Sequence, residues 1–328
     1  MALQQEIWVK DIQELLFPPN SVLSRATNDS GYVHYKTVHV PSAGNNAGIS
    51  KNRTVDGSFA TTGYRTDNDV TYTIDSYSVD PVVVSDLDTF QLAYDKRKSI
   101  LYNSMMNLET IMANNFLYGI APDVSNATAS IFYTTGATQA IDLAYNPVSG
   151  TASTGVRNSV TLQDIFTIKT ALDKQNVPQE GRVLLVPSDI FNNELLQIDQ
   201  ILNAYQLGMI AANQAVVQTG TLAKVAGFEI MTRPTTVIYD MTGATGSRVA
   251  SGLAAIDGSG NPTVTANAST AILAWHPTTV SHAQGEIKAF YTENFAPLYG
   301  SVISFDIWAG SGKRRYDKKG IVALVQRS

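Results

Sequence analysis

The sequence predicts an α+β fold, and three observations carry that prediction. An unbroken helical pattern runs from Ser85 to about Tyr118. An apolar-poor excursion rich in Gly, Asn and Thr, from about Pro41 to Asp69, precedes it. After it, lone helices alternate with strands, without the regular βαβ order of a nucleotide-binding fold and without a repeat of fixed period. The helix is long enough to act as a spine, whereas the excursion has too little apolar surface to fold alone. Together they describe a subunit that its neighbours complete, built for assembly rather than chemistry.

The first residues, MALQQEIWVKDIQELLF, read as a short amphipathic helix with Ile7, Ile12, Leu15 and Leu16 on one side, stopped by Pro18–Pro19. Its polar side carries Glu6, Asp11 and Glu14, which fits a docked arm better than a membrane anchor. It lacks the basic start and apolar centre of a secretory signal. Tyr32 to Val40 is aromatic and β-branched, a strand partner for Val70, Tyr72 and Ile74, which alternate with Thr71, Thr73 and Asp75. The apolar phase then moves to Tyr77 and Val79, predicting a bulge near Asp75–Ser76. Between these flanks the only large apolar residues are Ile49, Val55, Phe59 and Tyr64. Such a segment is either a floppy loop or a hairpin arm ordered on another subunit.

In the long helix, Ser85 and Asp88 form a capping-box-like pair, with Asp86 and Asp88 favoured by the helix dipole. Leu87, Phe90, Tyr94, Leu101, Met105, Leu108, Met112 and Phe116 make one apolar stripe, and Gly119 stands where a C-cap glycine would. Lys96, Arg97 and Lys98, with Asp95, interrupt the stripe as a solvated face or as a basic stretch turned toward a polyanion. From Asp123 to Arg157 a weakly charged tract reads as an inserted loop or ribbon. Thr161 and Asp164 form a capping box for a helix carrying Leu162, Ile165, Ile168 and Leu172. Arg182 to Val186 is a buried strand closed by Pro187, and Ser188 opens a helix through Phe191, Leu195 and Leu196. Ala204 to Val217 reads as partly helical, and Gly243 to Pro262 as an exposed loop. Strands are expected over 220–230, 237–239, 270–275, 286–291, 302–308 and 320–325.

A chain of 328 residues with 44% hydrophobic and 16% charged residues can bury a sizeable core, in two lobes. The low charge fits a surface later covered by copies of itself. A net charge of −5 argues against a dedicated nucleic-acid reader without excluding one basic face. Without cysteine there is no disulfide, thiolate metal site or Cys nucleophile. No run is long enough to span a membrane.

Motifs of catalysis are missing, so no catalytic, cofactor or metal residue is assigned and the chain reads as a non-enzyme. Gly310-Ser311-Gly312-Lys313 resembles the end of a phosphate loop, but Ile307 and Arg314 stand where Gly and Ser/Thr are required. Asp67-Asn68-Asp69 starts like a calcium loop, yet Tyr72 occupies the place of the turn glycine. His34, His39, His276 and His282 lack metal-site spacing and read as structural or surface histidines. Lys313, Arg314, Arg315, Lys318 and Lys319 cluster in a turn between the last two strands, as a solvated hairpin end or a polyanion contact.

The order of these segments resembles the major capsid proteins of tailed bacteriophages, the Hong Kong 97-type fold, over nearly the whole chain. TLQDIFTIKTALDKQNVPQEGRVLLVPSDIFNNELL resembles the helix–turn–strand–helix joining their peripheral and axial domains, and GTLAKVAGFEIMTRP the axial strand pair that follows. The resemblance implies an N-terminal arm over 1–30, an extended loop with its flanking strands over 31–85, and a spine helix with the first part of a peripheral domain over 86–186. An axial domain over 187–275 and the rest of the peripheral domain over 276–328 complete it. It implies self-assembly into pentamers and hexamers of an icosahedral head in the virion. Lys51, Arg53, Asp56, Phe59, Arg65 and Asp67 would be inter-subunit loop contacts, and Lys96, Arg97 and Lys98 would face packaged double-stranded DNA. Scaffolding, portal and possible decoration proteins are the further partners implied, with no cofactor and no membrane. An encapsulating nanocompartment shares the fold and is the alternative, with a β-rich surface binding module as a reading of a different class.

Overall fold

The computed structural model describes residues 21–44, 51, 65, 67–85, 96–123, 130–142, 154–198, 224–234, 236–240, 247–248, 268–285 and 288–326. The expected N-terminal helix, the start of the long helix over 86–95, the helical tract at 204–217 and the loop at 243–262 lie outside these residues. In chain order come β1 (Thr27–Asn28), β2 (Val33–His34), β3 (Thr37–Ser42), β4 (Asn68–Thr73), β5 (Asp75–Ser78) and β6 (Val82–Ser85). The long helix α1 (Lys96–Ile120) follows, then β7 (Ile131–Tyr133), β8 (Thr138–Asp142), β9 (Thr154–Asn158) and helix α2 (Leu162–Lys174). Next are β10 (Val183–Pro187), helix α3 (Ser188–Asn193), β11 (Lys224–Val225), β12 (Phe228–Arg233), β13 (Ile238–Asp240) and β14 (Ser247–Arg248). The last are β15 (Ala268–Trp275), β16 (Val280–Gln284), β17 (Lys288–Phe295), β18 (Gly300–Lys313) and β19 (Ile321–Val325).

The runs VLLVP and IVALV have no polar alternation because both of their faces are covered. They are β10 and β19, and they flank β15 at the centre of an eight-stranded mixed sheet. β12 and β11 extend it beyond β10, and β7 lies beyond β19. Residues of one parity, Val183, Leu185, Leu273, Trp275, Ile321 and Ala323, meet Ala113, Phe116, Leu117 and Ile120 of α1. The other parity, Leu184, Val186, Ile272, Ala274, Val322 and Leu324, meets Ile165, Ile168 and Leu172 of α2 and Ile190 and Phe191 of α3. Each Val, Leu, Ile or Phe among them contributes about 1.5–3 kcal/mol on burial, so this three-layer stack is the main core. The sheet draws strands from segments 86–186, 187–275 and 276–328 alike.

The second sheet, six strands, is built around β18. Its residues pair with β16 and β17 on one edge and with β5 and β6 on the other. Helix α1 runs along one face. Ile100 packs with Ile303 and Phe305, and nineteen residues later Gly119 meets Ser311. The rise from Ile100 to Gly119 is about 28 Å, and from Ile303 to Ser311 about 26 Å, so helix and strand stay in step.

Several expectations are corrected. Tyr32–Val40 is not one strand. β2 and β3 pair through a two-residue turn at Tyr35-Lys36, with Tyr35 at φ 56°. The phase change at Asp75 is not a bulge: β4 belongs to a three-stranded sheet with β3 and β2, and β5 moves to the edge of β18. Gly119 is no C-cap but lies inside the last turn of α1, which ends at Ile120. Met105, assigned to the apolar stripe, is 38% exposed, because burial concentrates on the second half of the helix. The tract at 123–157 contributes more than a ribbon. β8 and β9 do form one, but β7 joins the large sheet. The capping box of α2 forms as expected, and Asp164 also accepts from the Thr135 hydroxyl at 2.7 Å.

Candidate functional site

Strands β3 and β4 pair from Thr37–Thr73 to Ser42–Asn68. Val38, Val40 and Ile74 close a small core with Ala283, against which Val70, Tyr72 and Trp308 pack, and Lys36 lies 4.7 Å over the Trp308 ring. Beyond this root the described side chains turn to solvent. His39 Nδ1 is 2.5 Å from Asp69 Oδ2, both half exposed. Arg65 Nη2 donates to Asp67 Oδ2 at 2.9 Å, and the Gly44 amide donates to Asp67 Oδ1 at 2.9 Å. The Arg65 contact, then the Gly44 amide, hold the Asp67 carboxyl below the usual aspartate range. Of the six loop contacts expected from sequence, Arg65 and Asp67 are thus paired with each other, and Lys51 is exposed. Arg53, Asp56 and Phe59 lie outside the described residues. Lys96, Arg97 and Lys98 form the first described turn of α1.

Root, helix and sheet converge on Gly310-Ser311-Gly312. These residues lie within β18, so their likeness to a phosphate loop has a packing origin. On one face a Cβ at Gly310 would stand 2.4 Å from the Thr73 carbonyl oxygen, and one at Gly312 would stand 2.5 Å from the Tyr72 ring. On the opposite face a Cβ at Gly119 would stand 2.2 Å from Ser311 Oγ. The three positions need hydrogen where a methyl would sit, because three elements approach closely. A cleft of about 480 Å³ opens beside them, lined by Leu23, Tyr72, Met112, Phe116, His282 and Ser311.

A polar cluster ties four distant segments together at this place. β1 runs parallel to β16, and the Asp29 amide donates to the His282 carbonyl at 2.9 Å. Buried Asp29 faces Arg314, with Oδ2 and Nε 3.5 Å apart. The Ser281 hydroxyl donates to the Tyr72 hydroxyl at 3.2 Å, and burial foremost pushes Tyr72 up to about 12. His282 meets the Phe116 ring edge-on at 6.3 Å, and burial pushes its pKa down. Sequence reasoning missed this cluster because its members are as far apart as Asp29 and Arg314. The remaining basic turn is partly internally neutralised: Arg315 donates to Asp317 at 2.7 and 3.0 Å.

Missed as well was the surface of β17. Phe290, Tyr291, Phe295, Leu298 and Tyr299 are 41–82% exposed along this strand and the turn after it. Among the described strands β17 pairs with β18, and its aromatic rings form an exposed apolar patch. Also among the described residues, no group of His, Asp and Glu could hold a metal, and no helix is long and apolar enough to cross a membrane.

No family profile matches the chain, and no curated protein matches it. Solved structures do. The capsid of cyanophage P-SCSP1u aligns over 98% of this chain and 93% of that chain, with TM-score 0.65 at 15% identity. The cyanophage Pam1 capsid aligns over 98% and 96%, with TM-score 0.63 at 12% identity. A structure from Mycobacterium phage Che8 aligns over 98% and 97%, with TM-score 0.59 at 14% identity. The likeness is one of fold: the chain has the mixed α+β architecture of bacteriophage capsid subunits, from one end to the other.

Proposed function

We propose that this chain is the major capsid protein of a tailed bacteriophage, of the Hong Kong 97 type, which assembles into the pentamers and hexamers of an icosahedral head. The observation that carries the reading is two-way coverage: capsid chains align over nearly all of this chain and nearly all of their own length. The exposed aromatic rings of β17 and the hairpin β3–β4 support it, since both are surfaces that a neighbouring copy would bury. In this reading residues 1–30 are the arm, 31–85 the extended loop and 86–186 the spine with the first peripheral part. Residues 187–275 are the axial domain and 276–328 the second peripheral part.

The loop lies over an adjacent subunit, where Lys51, Arg53, Asp56, Phe59, Arg65 and Asp67 make contacts worth on the order of 1 kcal/mol or less each. Many repeats of large interfaces supply the stability. Lys96, Arg97 and Lys98 meet packaged double-stranded DNA through phosphate contacts without reading sequence. Scaffolding, portal and decoration proteins are the partners such a head uses. Negative-stain microscopy of the purified protein tests the reading, with closed shells or capsomer rings expected. Deleting residues 44–62 leaves a soluble fold and blocks closed particles; normal shells from that deletion overturn the role given to the loop.

A further inference from the structure

We infer that Gly310-Ser311-Gly312 is the joint that fixes the angle between the β3–β4 hairpin and helix α1, and that this angle sets the curvature, hence the diameter, of the assembled shell. The inference rests on the shell reading and names the residues that govern its geometry.

Two bodies press on the same short stretch of β18 from opposite faces: Tyr72 to Ile74 on one, and Gly119 of α1 against the Ser311 hydroxyl on the other. On the hairpin face a Cβ at Gly310 would meet the Thr73 carbonyl oxygen at 2.4 Å, the Ile74 Cγ2 at 2.8 Å and the Ile74 Cα at 2.9 Å. Two of those atoms are backbone, so no rotamer change removes the conflict. The strand carrying them must move. On the helix face a Cβ at Gly119 would meet Ser311 Oγ at 2.2 Å, but its next contacts, the Ser311 carbonyl oxygen and Cβ, are at 3.4 and 3.5 Å. That conflict therefore disappears when the hydroxyl is removed.

Restoring ordinary contact at position 310 takes a displacement of about 1 Å at Thr73–Ile74. Five residues separate Thr73 from Asn68, a lever of about 17 Å, so the hairpin tilts by about 3°. In a closed particle every copy repeats the same error, and a few degrees per subunit change the radius at which the shell closes.

The test uses a graded wedge in the full chain: Gly310→Ala, Gly310→Val, Gly119→Ala, and Gly119→Ala with Ser311→Ala. Because the chain has no cysteine, Ala43→Cys beside the hairpin and exposed Met105→Cys on α1 carry spin labels cleanly. Pulsed electron resonance on the unassembled subunit reads the angle, and negative-stain microscopy reads particle diameter. The label distance should shift by on the order of 1 Å for Gly310→Ala and 3 Å for Gly310→Val. Mean diameter should change in the same order, with open curved sheets at the larger wedge. Gly119→Ala should shift both readouts less, and the added Ser311→Ala should return both to wild type. An unchanged label distance in a folded Gly310 variant overturns the joint, and a shifted distance with wild-type diameter overturns its control of curvature. Should both Gly310 variants misfold, the Gly119 pair decides alike: no shift in the single variant, or none reversed in the double, overturns the proposal. Failure of the shell reading itself looks different, since wild type then forms no particles while the label distances still report on the joint.

Discussion

Glu194 tests how the main core is tied to the segment after β19. The residue is 8% exposed at the end of α3; its Oε2 accepts from the Val160 amide at 2.7 Å and its Oε1 from Gln326 Nε2 at 2.6 Å. Glu194→Ala strands two buried donors, each at a cost of about 1–3 kcal/mol. Loss of the buried charge offsets part of that, leaving a net destabilisation of about 2–4 kcal/mol at neutral pH. For a chain of this length that is a fall of about 3–6 °C in melting temperature.

Glu194→Gln keeps one acceptor and, with the Gln326 amide turned over, both contacts. It should cost less than about 1 kcal/mol. Burial pushes the Glu194 carboxyl above the usual glutamate range, and nearby Asp189 pushes it the same way. Below about pH 4.3 the carboxyl is protonated in both folded and unfolded chains, so the burial penalty is absent. As pH rises through the raised folded value, the folded chain must hold a buried charge and the stabilising share of this group is lost. The never-charged glutamine should therefore gain on wild type as pH rises from about 4.3 toward neutrality. Urea unfolding of unassembled subunits across that range measures it. Glu194→Ala within 1 kcal/mol of wild type, or a glutamine advantage that shrinks with rising pH, would refute the reasoning.

Three further predictions concern single contacts. Tyr239→Phe removes a buried hydroxyl that donates to the Pro122 carbonyl at 2.7 Å, and should cost about 1–2 kcal/mol in denaturant unfolding without altering the circular dichroism spectrum. Tyr35 is 98% exposed at φ 56°, so Tyr35→Gly should raise stability by a few tenths to about 1 kcal/mol, and a loss of more than that would contradict strain at this turn. Thr161→Ala breaks the reciprocal cap of α2 and should cost about 1 kcal/mol, with faster amide exchange confined to the first turn of that helix.

The three-layer core was legible because its signals are local. An uninterrupted VLLVP or IVALV declares two covered faces, and T-x-x-D followed by Leu162, Ile165, Ile168 and Leu172 declares a capped amphipathic helix. What was illegible depends on partners far along the chain. β16, VSHAQ, has too few apolar residues to announce a strand, yet Val280, Ser281 and Ala283 are buried against β18. The turn at Tyr35-Lys36 lacks the Asn-Gly or Asp-Gly signal of a tight hairpin, so two strands read as one. Gly119, Gly310 and Gly312 looked like a cap and a phosphate loop because a sequence does not display which element will press on a missing Cβ. Arg65 and Asp67 read in the sequence as two separate loop charges. That they pair with each other follows from a folding-back that periodicity does not encode.

The centres of both sheets are made late in synthesis. β15, laid down after residue 267, joins β10 to β19, and the long β18, laid down after residue 299, joins β5, β6, β16 and β17. A nascent chain that has reached Trp275 still lacks β16, β18 and β19, so β1, β5, β6 and β7 wait for their partners and β15 keeps one edge open. Pairing across such separations closes large loops before any contact rewards it, which makes folding slow. During that wait the exposed edges are prone to pair with the wrong chain. Slower synthesis, or a chaperone that shields half-made subunits, should therefore raise the yield of folded protein.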